Sequence, residues 1–205
     1  PAPDYANIYD TFALSGTAKA YGVEFLYRYN INKFSGWASY AYSKITRRVD
    51  LNSNNMIDDN LEIYPAKYDK PHTFNSVLSY QINKKYTVGV SSTFGSGQTY
   101  TPVIGKVHQS SIEAYGSLEN PYSNFGNIYG KRNGSRYTNY FRADISVGRK
   151  SKVLGLDSEW KFQIINITNH YNVLLYLWDH QSSPSKVEAY SMFPLIFTFG
   201  WEFKI

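Results

Sequence analysis

The sequence contains no cysteine, which closes off disulfides, thiolate metal sites and cysteine nucleophiles and is compatible with export without requiring it. It also lacks any apolar run of the roughly 18 residues that a membrane-crossing helix needs. Its richest short stretch, Val173 to Trp178, is far too short. A chain of this kind that crosses a membrane must do so as strands. The opening Pro1-Ala2-Pro3-Asp4 has neither the charged nor the apolar region of a signal peptide, which implies a mature chain or a fragment. Concentrated basic charge is missing too. The net charge of +5 and the pI of about 9.1 are spread along the chain, with adjacent cations only in isolated pairs such as Arg47-Arg48 and Lys84-Lys85. With no RNA-binding motif present, nucleic acid is not an expected partner.

What the sequence does hold is aromatic residues. Tyr 20, Phe 12 and Trp 4 make up 18% of 205 residues, yet the mean hydropathy is −0.43. Large rings mixed with many polar side chains suit a structure with one apolar and one wet face.

A strand points successive side chains to opposite faces, so alternation is the informative signal. At the C-terminus Phe193, Leu195, Phe197, Phe199, Trp201, Phe203 and Ile205 alternate with Pro194, Ile196, Thr198, Gly200, Glu202 and Lys204. Such a strand, at ~3.3 Å per residue and tilted by about 40–45°, covers roughly 30 Å, the thickness of a bilayer's apolar slab. The same period returns in the segments around Val23 to Tyr29, Phe34 to Ser43, Thr73 to Ile82, Tyr86 to Phe94, Phe141 to Gly148 and Glu159 to Ile164. No segment of comparable length carries a helical stripe.

The connections alternate in length. Asn30 to Lys33, Asn83 to Lys85 and Lys150 to Asp157 read as short turns. Arg48 to Asp69, Ser96 to Asn139 and His170 to Tyr190 read as long polar loops. A transmembrane antiparallel β-barrel has this asymmetry, with short turns on the periplasmic rim and long loops outside. The expectation is therefore an all-β membrane barrel segment of about seven strands over residues 1–205, with the C-terminus on the short-turn side. Trp201 and Phe203 then fall in an interfacial aromatic girdle. An odd strand number cannot close a barrel with both termini on one side, so the chain reads as a piece of a larger protein. The alternative is a further strand within residues 1 to 18.

Several motifs add a family resemblance. Gly200 followed by Phe203 and Ile205 resembles the assembly signal of outer-membrane barrels, with Ile205 where the last residue is usually Phe. The segments Ser35-Gly36-Trp37-Ala38-Ser39-Tyr40-Ala41-Tyr42-Ser43 and Tyr64-Pro65-Ala66-Lys67-Tyr68-Asp69-Lys70-Pro71-His72-Thr73-Phe74-Asn75 resemble the late barrel strands of TonB-dependent receptors of the Bacteroidota type. Gly95 to Pro102, Asn133 to Arg136, Phe141 to Asp144 and Ile165 to Asn169 are similar to that family's successive landmarks, in order, so the resemblance runs from about Gly22 to Ile205. It implies the C-terminal part of a 22-stranded outer-membrane barrel plugged by an N-terminal domain. Such a receptor takes up a scarce nutrient (a metal chelate, glycan or peptide) with energy from the TonB complex. The implied partners are outer-membrane lipid, the rest of the barrel and its plug, the TonB complex, and surface lipoproteins or other components of an outer-membrane complex. No enzymatic activity is implied.

Candidate sites follow from this frame. Glu24, Arg28, Arg142, Asp144, Glu159 and Lys161 share a strand parity, and since a charge facing lipid at the midplane costs about 2–4 kcal/mol, they are expected to face the lumen. Pairing across strands and packing on a plug are their expected duties, with substrate contact as the alternative. The loop aromatics Tyr64, Tyr68, Tyr100, Tyr115, Tyr122, Phe125, Tyr129 and Tyr137 suit either ligand stacking or packing among loops. Asp50 to Glu62 spaces oxygen ligands almost like a calcium loop, but lacks the turn glycine and sets Glu62 one position late. A solvated turn-rich loop is the plainer expectation, with no cofactor. Asp69 and His72 invite comparison with a catalytic pair but have no adjacent nucleophile, so strand-entry hydrogen bonding is expected instead.

Three rival functions are a transport-inactive barrel serving as scaffold in an outer-membrane complex, a small-barrel membrane enzyme, and a soluble β-sandwich lectin. The enzyme needs converging Ser, His and acidic residues that the apolar faces do not offer, and the lectin needs its apolar rows covered by a second sheet.

Overall fold

The computed structural model describes residues 16–50, 61–108, 125–179 and 186–204. Over these residues the chain is all-β and its sheets are antiparallel. In chain order the strands are β1 (Gly16–Ile31), β2 (Phe34–Asp50), β3 (Leu61–Pro65), β4 (His72–Gln81), β5 (Tyr86–Gly95), β6 (Thr99–Tyr100), β7 (Val103–His108), β8 (Phe125–Tyr129), β9 (Ser135–Arg136), β10 (Tyr140–Val153), β11 (Leu156–Ile165), β12 (Val173–Asp179), β13 (Lys186–Ser191) and β14 (Ile196–Lys204).

The seven alternating segments of the sequence are the strands of one meandering sheet, β1-β2-β4-β5-β10-β11-β14, with β3 added beside the far end of β2. The sheet is open, with β1 and β14 as its edges. Three short turns lie at one end. Asn32 adopts a left-handed φ of 54° between the paired residues Ile31 and Phe34. The Asn83 side chain accepts the amide hydrogens of Lys85 and Tyr86 at 2.8 and 3.0 Å, closing the β4–β5 turn. The third turn is tighter than Lys150 to Asp157. Pairing of β10 with β11 runs on to Val153 opposite Leu156, leaving only Leu154 and Gly155, both at positive φ, to reverse the chain. That is the geometry that matches strand twist in a two-residue hairpin.

The long connections also differ from the expected irregular loops. β1 and β2 stay paired out to Gly16 opposite Val49, and β3 extends the sheet there. Between β5 and β10 lie two small pairings, β6–β9 and β7–β8, and β12–β13 is a separate hairpin. The final strand begins at Ile196, so Phe193 and Leu195 precede it.

Register aligns the apolar parity of every strand. One row runs Tyr29, Gly36, Leu78, Val90, Ile145, Ile164, Phe197, and the next runs Ile31, Phe34, Tyr80, Val88, Val147, Phe162, Phe199. Between the row of Tyr86, Arg149, Trp160 and Trp201 at the turn end and the row of Val23, Tyr42 and His72 at the loop end, this face carries no Lys, Arg, Asp or Glu. Its two serines, Ser76 and Ser92, are directly opposite and satisfy each other, with hydroxyls 2.8 Å apart.

The burial order is inverted relative to a water-soluble domain, where Phe and Leu are buried and Asp and Asn exposed. Phe25, Phe197 and Phe199 are 65%, 64% and 62% exposed, whereas Asp69 and Asn166 are 1% and 2% exposed. Among the described residues, only Tyr64 and Ala66 are buried apolar side chains, and no second sheet covers the apolar rows.

Candidate functional site

The opposite face of the sheet carries the charges. Register places Arg28, Trp37, Val77, Ser91 and Asp144 in one row, and Leu26, Ser39, Asn75, Thr93 and Arg142 in the next. Glu24, Glu159 and Lys161 share that face. The structure brings only part of the expected set together. Arg142 pairs with Asp144 at 2.9 Å, while Lys161 finds a partner outside the set, Glu202, at 3.0 Å. Glu24 and Arg28 make no ion pair among the described residues.

Asp144 is 4% exposed and forms the centre of a polar network at the loop end of β10 and β11. It accepts the Asn166 amide hydrogen at 2.9 Å and the Ser91 hydroxyl at 3.4 Å, besides the Arg142 guanidinium. Asn166 itself sits at φ 54°, and its side chain donates to the His170 carbonyl at 3.0 Å and accepts the His170 amide hydrogen at 3.2 Å. The segment Ile165-Asn166-Ile167-Thr168-Asn169 is thus a tight turn held from within. Asn172 completes it by bonding the Phe141 backbone like an added strand residue, accepting from its N–H and donating to its C=O, both at 2.8 Å. Asn172→Ala would leave both backbone groups unpaired and is expected to cost about 2 kcal/mol, read as a lower urea midpoint for the folded protein.

A second network joins the loops to the sheet. Asp69 accepts the Ile45 amide hydrogen at 2.7 Å and makes a very short ion pair with Arg136, which also donates to the Asp69 carbonyl at 2.7 Å. Thr99 donates to the Ala66 carbonyl at 2.7 Å, and Asn133 to the Pro65 carbonyl at 2.8 Å. The result is a platform in which β3, β6 and β9 are fastened across the end of the sheet. His72 is employed elsewhere. Its Nδ1 lies 2.8 Å from the Tyr40 hydroxyl and its amide donates to Ser96 Oγ at 3.1 Å. Asp69 and His72 therefore act separately, each in strand-entry bonding.

The loop aromatics divide into packed and presented groups. Tyr100, Tyr137 and Tyr176 form a cluster with ring centroids 4.6, 5.4 and 5.1 Å apart, tying β6 to the hairpin β12–β13. Burial, and after it the neighbouring Tyr176 and Tyr137, raise the Tyr100 phenol above its ordinary value. Tyr64 is buried beneath Arg132, whose guanidinium lies 4.9 Å from the ring centroid and 3.5 Å from Glu62. Tyr68 and Tyr129 are exposed, while Tyr115 and Tyr122 lie outside the described residues, as does the side chain of Phe125. Tyr176 escaped the sequence reading because it sits in the unbroken apolar run Val173 to Trp178, which shows no period.

Of the calcium-like stretch, residues 51–60 lie outside the described residues, and Glu62 is in β3 facing Arg132. Beside it, Thr17, Ala18, Arg47, Arg48, Val49, Tyr64 and Arg132 line a cavity of about 390 Å³ at the loop end of β1 and β2. Three arginines with a tyrosine ring give this cavity the means to hold a carboxylate or phosphate. Compared with protein-family models, curated proteins and solved structures, the chain matches none.

Proposed function

We propose that this chain is wall of an outer-membrane β-barrel, with β1 to β14 forming part of a TonB-dependent receptor that takes up a scarce nutrient. The observation that carries the reading is the uncovered apolar face. Its rows come from seven strands, align in register and hold no charge between the two end rows. Along β1 the apolar parity extends from Tyr21 to Ile31, which at ~3.3 Å per residue and ~42° of tilt is roughly 25 Å tall, the height of an outer-membrane barrel's lipid-facing band.

Both ends of the band carry residues that favour a membrane interface. At the turn end Trp160 stacks on Trp201 at 4.4 Å, Trp201 meets Phe203 at 4.4 Å, and Arg149 lies over Tyr86. At the loop end Tyr40 and Tyr42 pack with His72. Rings with a polar tip collect at such boundaries. On this reading the charged face looks into the lumen, and the platform and its tyrosines cap the ligand path from outside. The nutrient would bind at the exposed Tyr68 and Tyr129 or in the arginine-lined cavity, and plug and TonB contacts would come from parts of the protein beyond this barrel segment.

The membrane assignment is tested by fractionation. The protein should stay in the membrane pellet through high salt and alkaline carbonate and leave it only with detergent. Recovery in the salt wash would overturn it. The receptor assignment is tested separately by the coding sequence ahead of Pro1, which should encode a plug domain.

A further inference from the structure

Immediately beyond the apolar band, the lipid-side face of β1 and β2 changes character. The row of Val23 and Tyr42 is followed by Tyr21 beside Lys44, then Lys19 beside Thr46, then Thr17 beside Arg48. Lys19 is therefore the diagonal neighbour of both Lys44 and Arg48, and diagonal neighbours on one face of an antiparallel pair stand about 7–8 Å apart. All three are exposed, and none makes an ion pair among the described residues. Lys19 Nζ lies 5.8 Å from the Tyr21 ring centroid. The adjoining residues of β3 on this face are Ile63 and Pro65, opposite Arg48 and Thr46. No described carboxylate side chain shares the patch, and Asp50 comes only one alternation further along β2.

Like charges at diagonal positions repel unless something anionic lies between them. Among the described side chains this patch holds no such group, although the opposite face supplies carboxylates freely. What lies at this height, if the band is in lipid, is the headgroup layer.

We infer that Lys19, Lys44 and Arg48 form a binding site for the phosphate of a lipid headgroup in the outward leaflet. The inference rests on the membrane reading above and goes beyond it by naming a lipid chemistry and its residues. The geometry suits a lipid better than a free ion. The acyl chains would continue down the rows of Phe25, Tyr27 and Tyr40, while Lys19 between its two neighbours offers two adjacent seats for phosphate oxygens. Lysine and arginine stems are long enough to lie along apolar surface and hold their charge at the boundary.

The test uses the full protein in neutral-detergent micelles, titrated with dimyristoyl phosphatidic acid and followed by native mass spectrometry. The variant K19Q/K44Q, which spares the arginine-lined cavity, should bind on the order of 30-fold more weakly, whereas K84Q/K85Q, in the β4–β5 turn at the other end of the sheet, should bind as the unsubstituted protein does. Inorganic phosphate at millimolar concentration should not displace the lipid. Equal losses in K84Q/K85Q and K19Q/K44Q, unchanged binding in K19Q/K44Q, or displacement by inorganic phosphate would each overturn the inference. Failure of the membrane reading would show differently, as an unsubstituted protein that enters no vesicle of any lipid composition.

Discussion

Arginine in place of Leu78 is expected to destabilise the folded protein by about 2–4 kcal/mol and to remove most of it from the membrane fraction. Arginine at the adjacent Val77 is expected to be tolerated. Leu78 lies in the middle of the apolar band, flanked in its row by Gly36 and Val90. If that face lies in lipid as proposed, a guanidinium there has only acyl chains around it, with the Ser76–Ser92 pair already mutually satisfied. Val77 points to the other face, beside Ser91 and in the row of Asp144. A cavity of about 290 Å³ next to these residues leaves space for the longer side chain. The measurement is the protease-resistant protein recovered from membranes for each variant, with urea titration in vesicles to give the stability difference. Equal behaviour of the two variants would mean that the faces are not in different solvents.

The second large effect is expected at Asp69. Removing its carboxylate in Asp69→Ala strips the Arg136 guanidinium of its ion pair and leaves the Ile45 amide hydrogen without an acceptor. Loss of one partner from a buried pair costs about 3–5 kcal/mol when the remaining charge stays buried. Arg136 is 37% exposed in its side chain and can rehydrate, which puts the expected cost near 3 kcal/mol. The damage should be local. Protease should cut within Ala66 to Lys70 and amide exchange should accelerate at Ala66 and Tyr137, while the protein remains in the membrane pellet. Asp69→Asn, which keeps an acceptor for Ile45, should fall between. If exchange rose uniformly across β4, β5 and β10 instead, the platform would not be a separable unit.

How far the sequence could be read depended on whether a strand's two faces differ in polarity. β11 and β14 declare themselves because Trp160, Phe162 and Ile164 alternate with charges and Phe197 to Phe203 with small or polar residues. The upper part of β2 does not, since Lys44, Thr46 and Arg48 face one way and Ser43, Ile45 and Arg47 the other without an apolar side. There the pairing with β1 and β3 makes the strand, through backbone bonds that leave no trace in side-chain type. The turn at Leu154 and Gly155 was blurred by the same cause, because Lys150 to Lys152 and Asp157 to Ser158 are polar on both faces yet remain paired.

The candidate site was legible by face and illegible by partner. Strand parity put Glu24, Arg28, Arg142, Asp144, Glu159 and Lys161 on one side, and register agrees. That Asp144 would bond the backbone of Asn166, or Asp69 the side chain of Arg136, depends on turn geometry between distant segments, which alternation does not encode. The tyrosines behave likewise. Tyr64 and Tyr100 are spoken for by Arg132 and by Tyr137 with Tyr176, while Tyr68 and Tyr129 remain open to a ligand.

The end of the sheet beyond the band is braced on both flanks, since β2 holds β1 on one side and β3 on the other, whereas among the described residues β7–β8 and β12–β13 are two-stranded ribbons. A ribbon without a third strand is marginal by itself, so the chain keeps two clocks. If the loops face outside as proposed, a ligand meets a braced wall and two ribbons, of which β12–β13 is moored through Tyr176 to Tyr100 and Tyr137.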